Sequence, residues 1–199
     1  MASCRSQSES SVLIFMIYFD ELKRAMTWLG QQDKVVMLGQ AVREKGTAMR
    51  NTLVGVPEDK LIEFPVCENL QAGVANGLAL AGKVPVSIYP RWNFFLLAID
   101  QVVNHLDKIP EISDYKTKVI IRTGVGSISP MNPQAQHTGD FTDAYRLMLK
   151  NVEVIRLDYP EQIFPAYQHA YNRTDGKSTI LVEWGDAYDN NWKFSPDKL

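Results

Sequence analysis

Short apolar runs that alternate with helical segments constrain the fold of this chain more than any other feature. The runs are rich in β-branched residues and bounded by Gly, Pro or polar residues, which is typical of buried strands. We predict strands at Val35–Leu38, Leu61–Phe64, Val84–Tyr89, Lys118–Arg122, Val152–Leu157 and Thr179–Glu183. We predict helices at Tyr18–Gln31, Glu68–Ala81, Phe94–Leu106, Phe141–Lys150 and Pro160–Asn172, with a weakly helical connection at Val42–Leu53. This order predicts an α/β fold, a doubly wound and mostly parallel sheet with helices on both faces.

Several segments that follow the predicted strands are expected to share one edge of the sheet. In open parallel sheets, ligands bind beyond the carboxyl ends of the strands. Gly39, Glu68, the segment 90–93 and the segment 123–140 each follow a strand. The last of these is a long loop rich in Gly, Ser, Pro, Asn and Gln, and loops of that length in a compact domain are usually functional. The sequence therefore predicts a ligand site along this edge.

The segment 64–82 places one acidic residue, Glu68, between an apolar approach and a helix of small residues. Gly73, Gly77 and Gly82 recur along it with alanines between them, and small residues allow a backbone or a ring to approach closely. A carboxylate at the start of a helix is also near the positive end of the helix dipole. The combination indicates a carboxylate that acts on a flat, neutral group, but a Glu in a first helical turn is often only a complement to the dipole.

Composition and charge argue against several function classes. The chain has 199 residues, 45% of them hydrophobic and 22% charged, which fits one ordinary globular domain. The net charge of −2 shows no overall basic character, so we expect no nucleic-acid partner. No apolar run reaches the roughly 18 residues that cross a membrane, so we expect no membrane association. Cys4 and Cys67 form neither a disulfide nor a metal pattern, so we expect a reducing, cytoplasmic location.

Three stretches, in this order, resemble the pyrimidine-binding domain of thiamine-diphosphate enzymes. They are Pro65-Val66-Cys67-Glu68 with the Gly/Ala helix and the segment 81–86 after it, Trp92-Asn93-Phe94 leading into the segment 98–105, and the segment 121–124 running to 135–138. From about Phe19 to about Asp186, the chain is most similar to the β subunit of the 2-oxoacid dehydrogenase decarboxylase component, as in pyruvate and branched-chain oxoacid dehydrogenases. Transketolase has a related domain.

The resemblance implies roles for four residues and leaves one as a candidate. Glu68 matches the glutamate that hydrogen-bonds the aminopyrimidine ring of the cofactor, thiamine diphosphate, and favours its imino tautomer. Phe94 matches the aromatic residue that stacks on that ring, and Trp92 in the same turn is also expected to contact the cofactor. His137 matches a histidine on the substrate side, where it would stabilise charge or move a proton. Arg91 departs from the family pattern and is a candidate to bind a carboxylate or phosphate of the substrate.

From the residues alone, plainer interpretations of these positions stay open. Phe94 is also the kind of residue that fills a core, and Arg91 is equally suited to a salt bridge. His105 lies within a predicted helix and is expected to be structural or at an interface, and His169 is expected on the surface.

Three departures from the family pattern bear on partners. The chain ends soon after Asp186, where the related β subunits continue into a second domain. The Gly-Asp-Gly…Asn motif that holds Mg²⁺ and diphosphate in the family is absent, and Gly185-Asp186-Ala187 is too close to the end to replace it. The resemblance thus implies an α-like partner chain that carries the diphosphate and Mg²⁺ site. Gln40 and Ala41 stand where acidic residues are expected, so coupling between paired active sites is not expected.

The leading hypothesis is a subunit of a split thiamine-diphosphate enzyme that acts on a 2-oxoacid or a ketose, in a homodimer or a heterotetramer. We expect an extension at 1–17, the pyrimidine-binding domain at 18–187 and a C-terminal arm at 188–199. The alternatives are a non-catalytic assembly or regulatory subunit and an unrelated doubly wound nucleotide binder. The last lacks a Gly-x-Gly-x-x-Gly turn after the first strand.

Overall fold

A computed structural model describes residues 17–126, 128 and 132–189 of the chain. Most of the predicted N-terminal extension and C-terminal arm therefore falls outside the described residues. None of the helices within these ranges is both long and apolar enough to cross a membrane.

Six parallel strands form one sheet at the centre of the described fold. They are β1 (Val35–Gly39), β2 (Leu61–Glu63), β3 (Val84–Ile88), β4 (Ile120–Val125), β5 (Val152–Arg156) and β6 (Ser178–Trp184). Their order across the sheet is β2-β1-β3-β4-β6-β5, and all five pairings are parallel. The order runs outward from β1 in one direction and from β3 in the other, as in doubly wound sheets. The predicted α/β fold is confirmed.

The α-helices cover both faces of this sheet. They are α1 (Tyr18–Gly30), α2 (Ala48–Asn51), α3 (Glu68–Leu80), α4 (Trp92–Phe95), α5 (Ile109–Ile112), α6 (Thr142–Met148) and α7 (Pro160–Asn172). On one face, α1 and α7 pack together over a core that includes Leu22, Met26 and Tyr167. On the other face, the alanines of α3 pack over a second core with Trp92 and Tyr145. Burial on both faces explains the nearly continuous apolar strands.

The predicted helix Phe94–Leu106 is wrong as a single element. The chain forms α4, then a 3₁₀ turn at Leu96–Ala98, and then a π-helical segment at Gln101–Leu106. In that last segment the side-chain amide of Asn76 on α3 donates to the carbonyl of Gln101 at 3.0 Å. A carbonyl shared with a neighbouring helix perturbs the regular bonding of its own helix, which is a known origin of irregular turns.

The predicted loop 123–140 begins later than expected because β4 continues to Val125. Thr123, Gly124 and Val125 pair with Val182, Glu183 and Trp184 of β6. A short 3₁₀ helix at Gln134–His137 also lies within the predicted loop. The pairing depends on a strand more than 50 residues away in sequence, so the local turn-like composition did not indicate it.

A buried ion pair joins β4 to β6 on the face that α1 and α7 cover. The guanidinium of Arg122 donates from Nε to Glu183 Oε1 at 2.6 Å and from Nη2 to Oε2 at 2.9 Å. Tyr167 also donates to Glu183 at 2.6 Å, and Arg122 donates to the hydroxyl of Thr52 at 2.8 Å. Burial alone would lower the pKa of Arg122, but the charge of Glu183 raises it well above its ordinary value. Arg122 is therefore charged, and the pair is extensively hydrogen-bonded.

Candidate active site

Glu68 is buried at the head of helix α3, at the carboxyl-end edge of the sheet. The residue is only 3% exposed although its side chain is polar. The first residue of a helix faces the positive end of the helix dipole, which favours a carboxylate there. The side-chain amide of Gln40, which follows β1, donates to Glu68 Oε1 at 2.9 Å. Among the described residues, this is the only hydrogen bond to the carboxylate, and Oε2 has no partner.

Helix α3 is fixed to the sheet one turn after Glu68. The side-chain amide of Gln71 donates to the hydroxyl of Ser87 at 3.1 Å and to the carbonyl of Ile88 at 2.9 Å. Gln71 is fully buried, so breaking these hydrogen bonds would leave its amide unpaired away from water, at a high cost in free energy. By contrast, a Cβ placed on Gly77 would meet nothing within 4 Å, so packing within the described chain does not require that glycine.

Tyr89, at the end of β3, lies close enough to Glu68 to sense its charge. Its hydroxyl accepts a hydrogen bond from Ser87 at 3.1 Å, and its ring packs against Phe95. Burial raises the pKa of the Tyr89 phenol, and the negative charge of Glu68 raises it further. The Tyr89 phenol is therefore neutral.

The second group of contacts joins Arg91, Phe94 and His137. The rings of Phe94 and His137 stack with centroids 4.8 Å apart and planes 26° from parallel. Arg91 donates from Nη1 to the carbonyl of His137 at 3.1 Å. Burial lowers the pKa of Arg91, and the negative charge of Asp186 opposes that shift. The structure thus brings three of the predicted site residues together, as the shared edge of the sheet predicted.

Trp92 is the predicted site residue that the structure does not bring to this edge. Its indole is fully buried and packs against Phe95 at 5.5 Å and Tyr145 at 4.7 Å between centroids. Consecutive positions of the α4 turn point in different directions, so Trp92 enters the core while Phe94 stays half-buried at its rim. The other two histidines are on the surface, where His105 contacts Asp100 and His169 contacts Glu153.

Two buried polar atoms beside Phe94 lack a hydrogen-bond partner among the described residues. They are Oδ1 of Asn93 and Nδ1 of His137. Other buried atoms of the described fold are unpaired as well, among them Trp92 Nε1 and Tyr145 Oη in the core, but the atoms of Asn93 and His137 lie at the half-buried edge, where a ligand could pair with them. An aminopyrimidine is flat and carries both donors and acceptors. A stacking ring, unpaired polar atoms and a carboxylate with one uncommitted oxygen are therefore compatible with such a group.

Sequence reasoning missed the contact of Gln40 with Glu68 and the unpaired amide of Asn93. Gln40 directly follows Gly39 at a strand end, so the expectation of a shared edge could have identified it. Within the described ranges, no three His, Cys, Asp or Glu residues are grouped so that they could hold a metal ion.

The sequence family described as transketolase, pyrimidine binding domain, matches residues 18–188. A 3-methyl-2-oxobutanoate dehydrogenase subunit beta of Mycobacterium tuberculosis is 27% identical over 146 residues, which are 71% of this chain and 41% of that protein. A pyruvate dehydrogenase E1 component subunit beta of Rickettsia felis is 31% identical over 120 residues, 58% of this chain and 36% of that protein. The chain thus spans about two fifths of the length of these relatives.

Solved structures support the same fold. A structure described as a split gene transketolase, inactive beta4 tetramer, superposes with a TM-score of 0.65 at 19% identity, covering 91% of this chain and 55% of that one. Transketolase from Campylobacter jejuni superposes with a TM-score of 0.67 at 17% identity, covering 84% of this chain and 25% of that one. Because the family match extends over most of the chain, the protein belongs to the transketolase pyrimidine-binding domain family.

Proposed function

We propose that this chain is a subunit of a split thiamine-diphosphate-dependent enzyme and that Glu68 activates the aminopyrimidine of the cofactor. The main observation in support is the geometry of Glu68. It is a buried carboxylate with one oxygen hydrogen-bonded to Gln40, and its other oxygen has no hydrogen bond among the described residues. Burying a polar group is costly unless its atoms are hydrogen-bonded, so a buried carboxyl group with a single described hydrogen bond suggests a ligand. The relatives named above are β subunits of oxoacid dehydrogenases, which favours the same cofactor here.

Thiamine diphosphate, when bound, supplies the carbon nucleophile that attacks the carbonyl of a 2-oxoacid or ketose. Glu68 would share a proton with a ring nitrogen of the aminopyrimidine. Phe94 would hold the ring plane by stacking, and Trp92 would act from the core by fixing the turn that carries Phe94. His137 would stabilise charge or move a proton near the substrate.

The diphosphate and Mg²⁺ belong, in this proposal, to a partner chain. The pyrimidine-binding half alone would then be inactive, and the assembly would be a homodimer or a heterotetramer with an α-like chain. The names of the relatives as β subunits support this arrangement. Mg²⁺ bound to a phosphate is held by hard oxygen ligands. The described residues of this chain contain no cluster of three His, Cys, Asp or Glu side chains that could hold a metal ion.

Replacing Arg91 with Ala is expected to raise the KM for an anionic 2-oxoacid about tenfold while changing kcat little, because one charge-assisted hydrogen bond is lost. Steady-state kinetics of the chain with its partner measures this. Arg24→Ala is the matched control, since Arg24 stacks on Phe164 at the α1–α7 surface. An unchanged KM in Arg91→Ala would remove Arg91 from the substrate site.

Purification of the tagged full chain from its native lysate, followed by mass spectrometry, tests the proposed function. We expect a stoichiometric partner with a Gly-Asp-Gly…Asn motif, and turnover of a 2-oxoacid or a ketose that requires thiamine diphosphate and Mg²⁺. A panel of both substrate classes then distinguishes decarboxylation from ketol transfer. A stable assembly that binds no cofactor would instead identify a non-catalytic assembly or regulatory subunit.

A further inference from the structure

The turn after β1 has a strained backbone at Ala41. Ala41 has a φ of 56°, in the left-handed region that side chains other than glycine seldom adopt. A single residue of this kind costs about 1–2 kcal/mol. Such strain persists only where surrounding contacts fix the conformation, and it is common at functional sites. The contacts that fix Ala41 therefore indicate what the turn is built to hold.

Glu63, at the end of β2, supplies those contacts. Its Oε1 accepts a hydrogen bond from the backbone N–H of Ala41 at 2.6 Å, and its Oε2 accepts one from the N–H of Arg43 at 2.8 Å. Glu63 lies directly beside Gly39 in the parallel pairing of β1 and β2. Both carboxylate oxygens of Glu63 thus accept hydrogen bonds from the turn that follows Gly39.

Gln40 lies between the paired Gly39 and the strained Ala41, so its backbone is restrained on both sides. From this position its side-chain amide donates to Glu68 Oε1 at 2.9 Å. The bond spans 28 residues of sequence and joins the turn after β1 to the head of α3. A hydrogen bond to one oxygen restricts the rotation of the carboxylate and so limits the directions in which the other oxygen can point. The turn after β1 is thus connected to the orientation of the carboxylate.

We propose that Gln40 is the positioning residue of Glu68 and that Glu63 holds Gln40 in place through the strained turn at Ala41. The identity of the ligand at Glu68 rests on the proposed function, whereas the hydrogen bond between Gln40 and Glu68 does not depend on the proposed function. Gln40 does not touch the reacting atoms and acts only through Glu68.

Gln40→Met keeps the length of the side chain and removes the donor. In the complex of the full chain with its partner, it is expected to weaken the binding of thiamine diphosphate about tenfold at saturating Mg²⁺, as for one hydrogen bond to a charged group. Calorimetry measures this without turnover. In a Glu68→Gln background, the same substitution is expected to change the affinity by less than about twofold, because the pair acts as a unit. Equal effects in both backgrounds would overturn the proposal.

Gln32→Met is the matched control, because Gln32 donates to the carbonyl of Trp28, away from the site. It should leave the affinity unchanged. Gln40→Asn, which keeps the amide but shortens its reach, is expected to weaken binding like Gln40→Met, so the conclusion does not depend on one variant that folds poorly.

Nitrogen-15 NMR of the cofactor-free full chain separates this inference from the proposed function. The side-chain amide resonance of Gln40, identified by its loss in Gln40→Met, is expected to shift in Glu68→Gln and in Glu63→Ala. A resonance that does not respond to Glu68→Gln would overturn the positioning role. If it responds but the complex binds no thiamine diphosphate, the positioning role stands and the proposed cofactor is wrong.

Discussion

Glu68→Gln is expected to lower cofactor-dependent turnover by roughly 10²–10⁴-fold, the range for a positioned acid–base group. Gln has the same shape and keeps a hydrogen-bond acceptor, but it cannot share a proton with a ring nitrogen. Glu68 is 3% exposed, so bulk water has little access to take over its role. The measurement is kcat of the chain with its partner at saturating thiamine diphosphate and Mg²⁺.

Glu161→Gln is the control that addresses the plainer interpretation of Glu68. Glu161 is also in the first turn of a helix, but it is exposed on α7. If Glu68 only complements a helix dipole, both substitutions should have similarly small effects, since a dipole contribution is at most about 1–2 kcal/mol. The proposal predicts loss of turnover for Glu68→Gln alone. Full turnover in a folded Glu68→Gln complex would contradict it.

Glu183→Gln is expected to lower the free energy of unfolding by about 3–5 kcal/mol, because it leaves the Arg122 guanidinium buried without a countercharge. Arg122 and Glu183 are 0% and 1% exposed, so water cannot solvate the charge that remains. Urea unfolding of the full chain, followed by circular dichroism, measures this. A loss of this size would also lower the midpoint of thermal unfolding by roughly 10 °C in a chain of this length.

Asp143→Asn is the matched control, since it removes the carboxylate of an exposed ion pair with Arg146. Exposed pairs are worth little, and the expected change is within about 0.5 kcal/mol. If Glu183→Gln destabilised the chain no more than Asp143→Asn, the buried pair would not stabilise the link between β4 and β6.

The strands were predictable because burial on both faces of the sheet gives them continuous apolar runs. The longest helices were predictable as well. Helices α1, α3 and α7 agree with their predicted bounds to within one residue at each end. The single helix predicted at 94–106 was wrong because the chain there forms a 3₁₀ turn and then a π-helical segment, in which Asn76 of another helix bonds the carbonyl of Gln101. The far end of β4 was missed because only pairing with β6 makes it a strand. Local patterns contain no signal for either tertiary contact.

Part of the arrangement at this edge of the sheet was also predictable. The expectation that strand ends share an edge, together with the family resemblance, singled out Glu68, Phe94, His137 and Arg91. Burial of Trp92 was not predictable, because the direction of one residue in a four-residue helix depends on the packing around it. The partner of Glu68 was also missed, since a single Gln after a strand has no distinctive pattern. The sequence predicts Arg122 and Glu183 only as strand residues and gives no signal of their ion pair.

A structure of the full chain with its partner, thiamine diphosphate and Mg²⁺ tests the central claim most directly. We predict that the aminopyrimidine lies against Phe94 with a ring nitrogen within hydrogen-bond distance of Glu68, and that Gln40 stays bonded to the other carboxylate oxygen. The diphosphate and Mg²⁺ are expected on the partner chain. A cofactor bound elsewhere, or a Glu68 carboxylate that contacts no part of it, would contradict the claim.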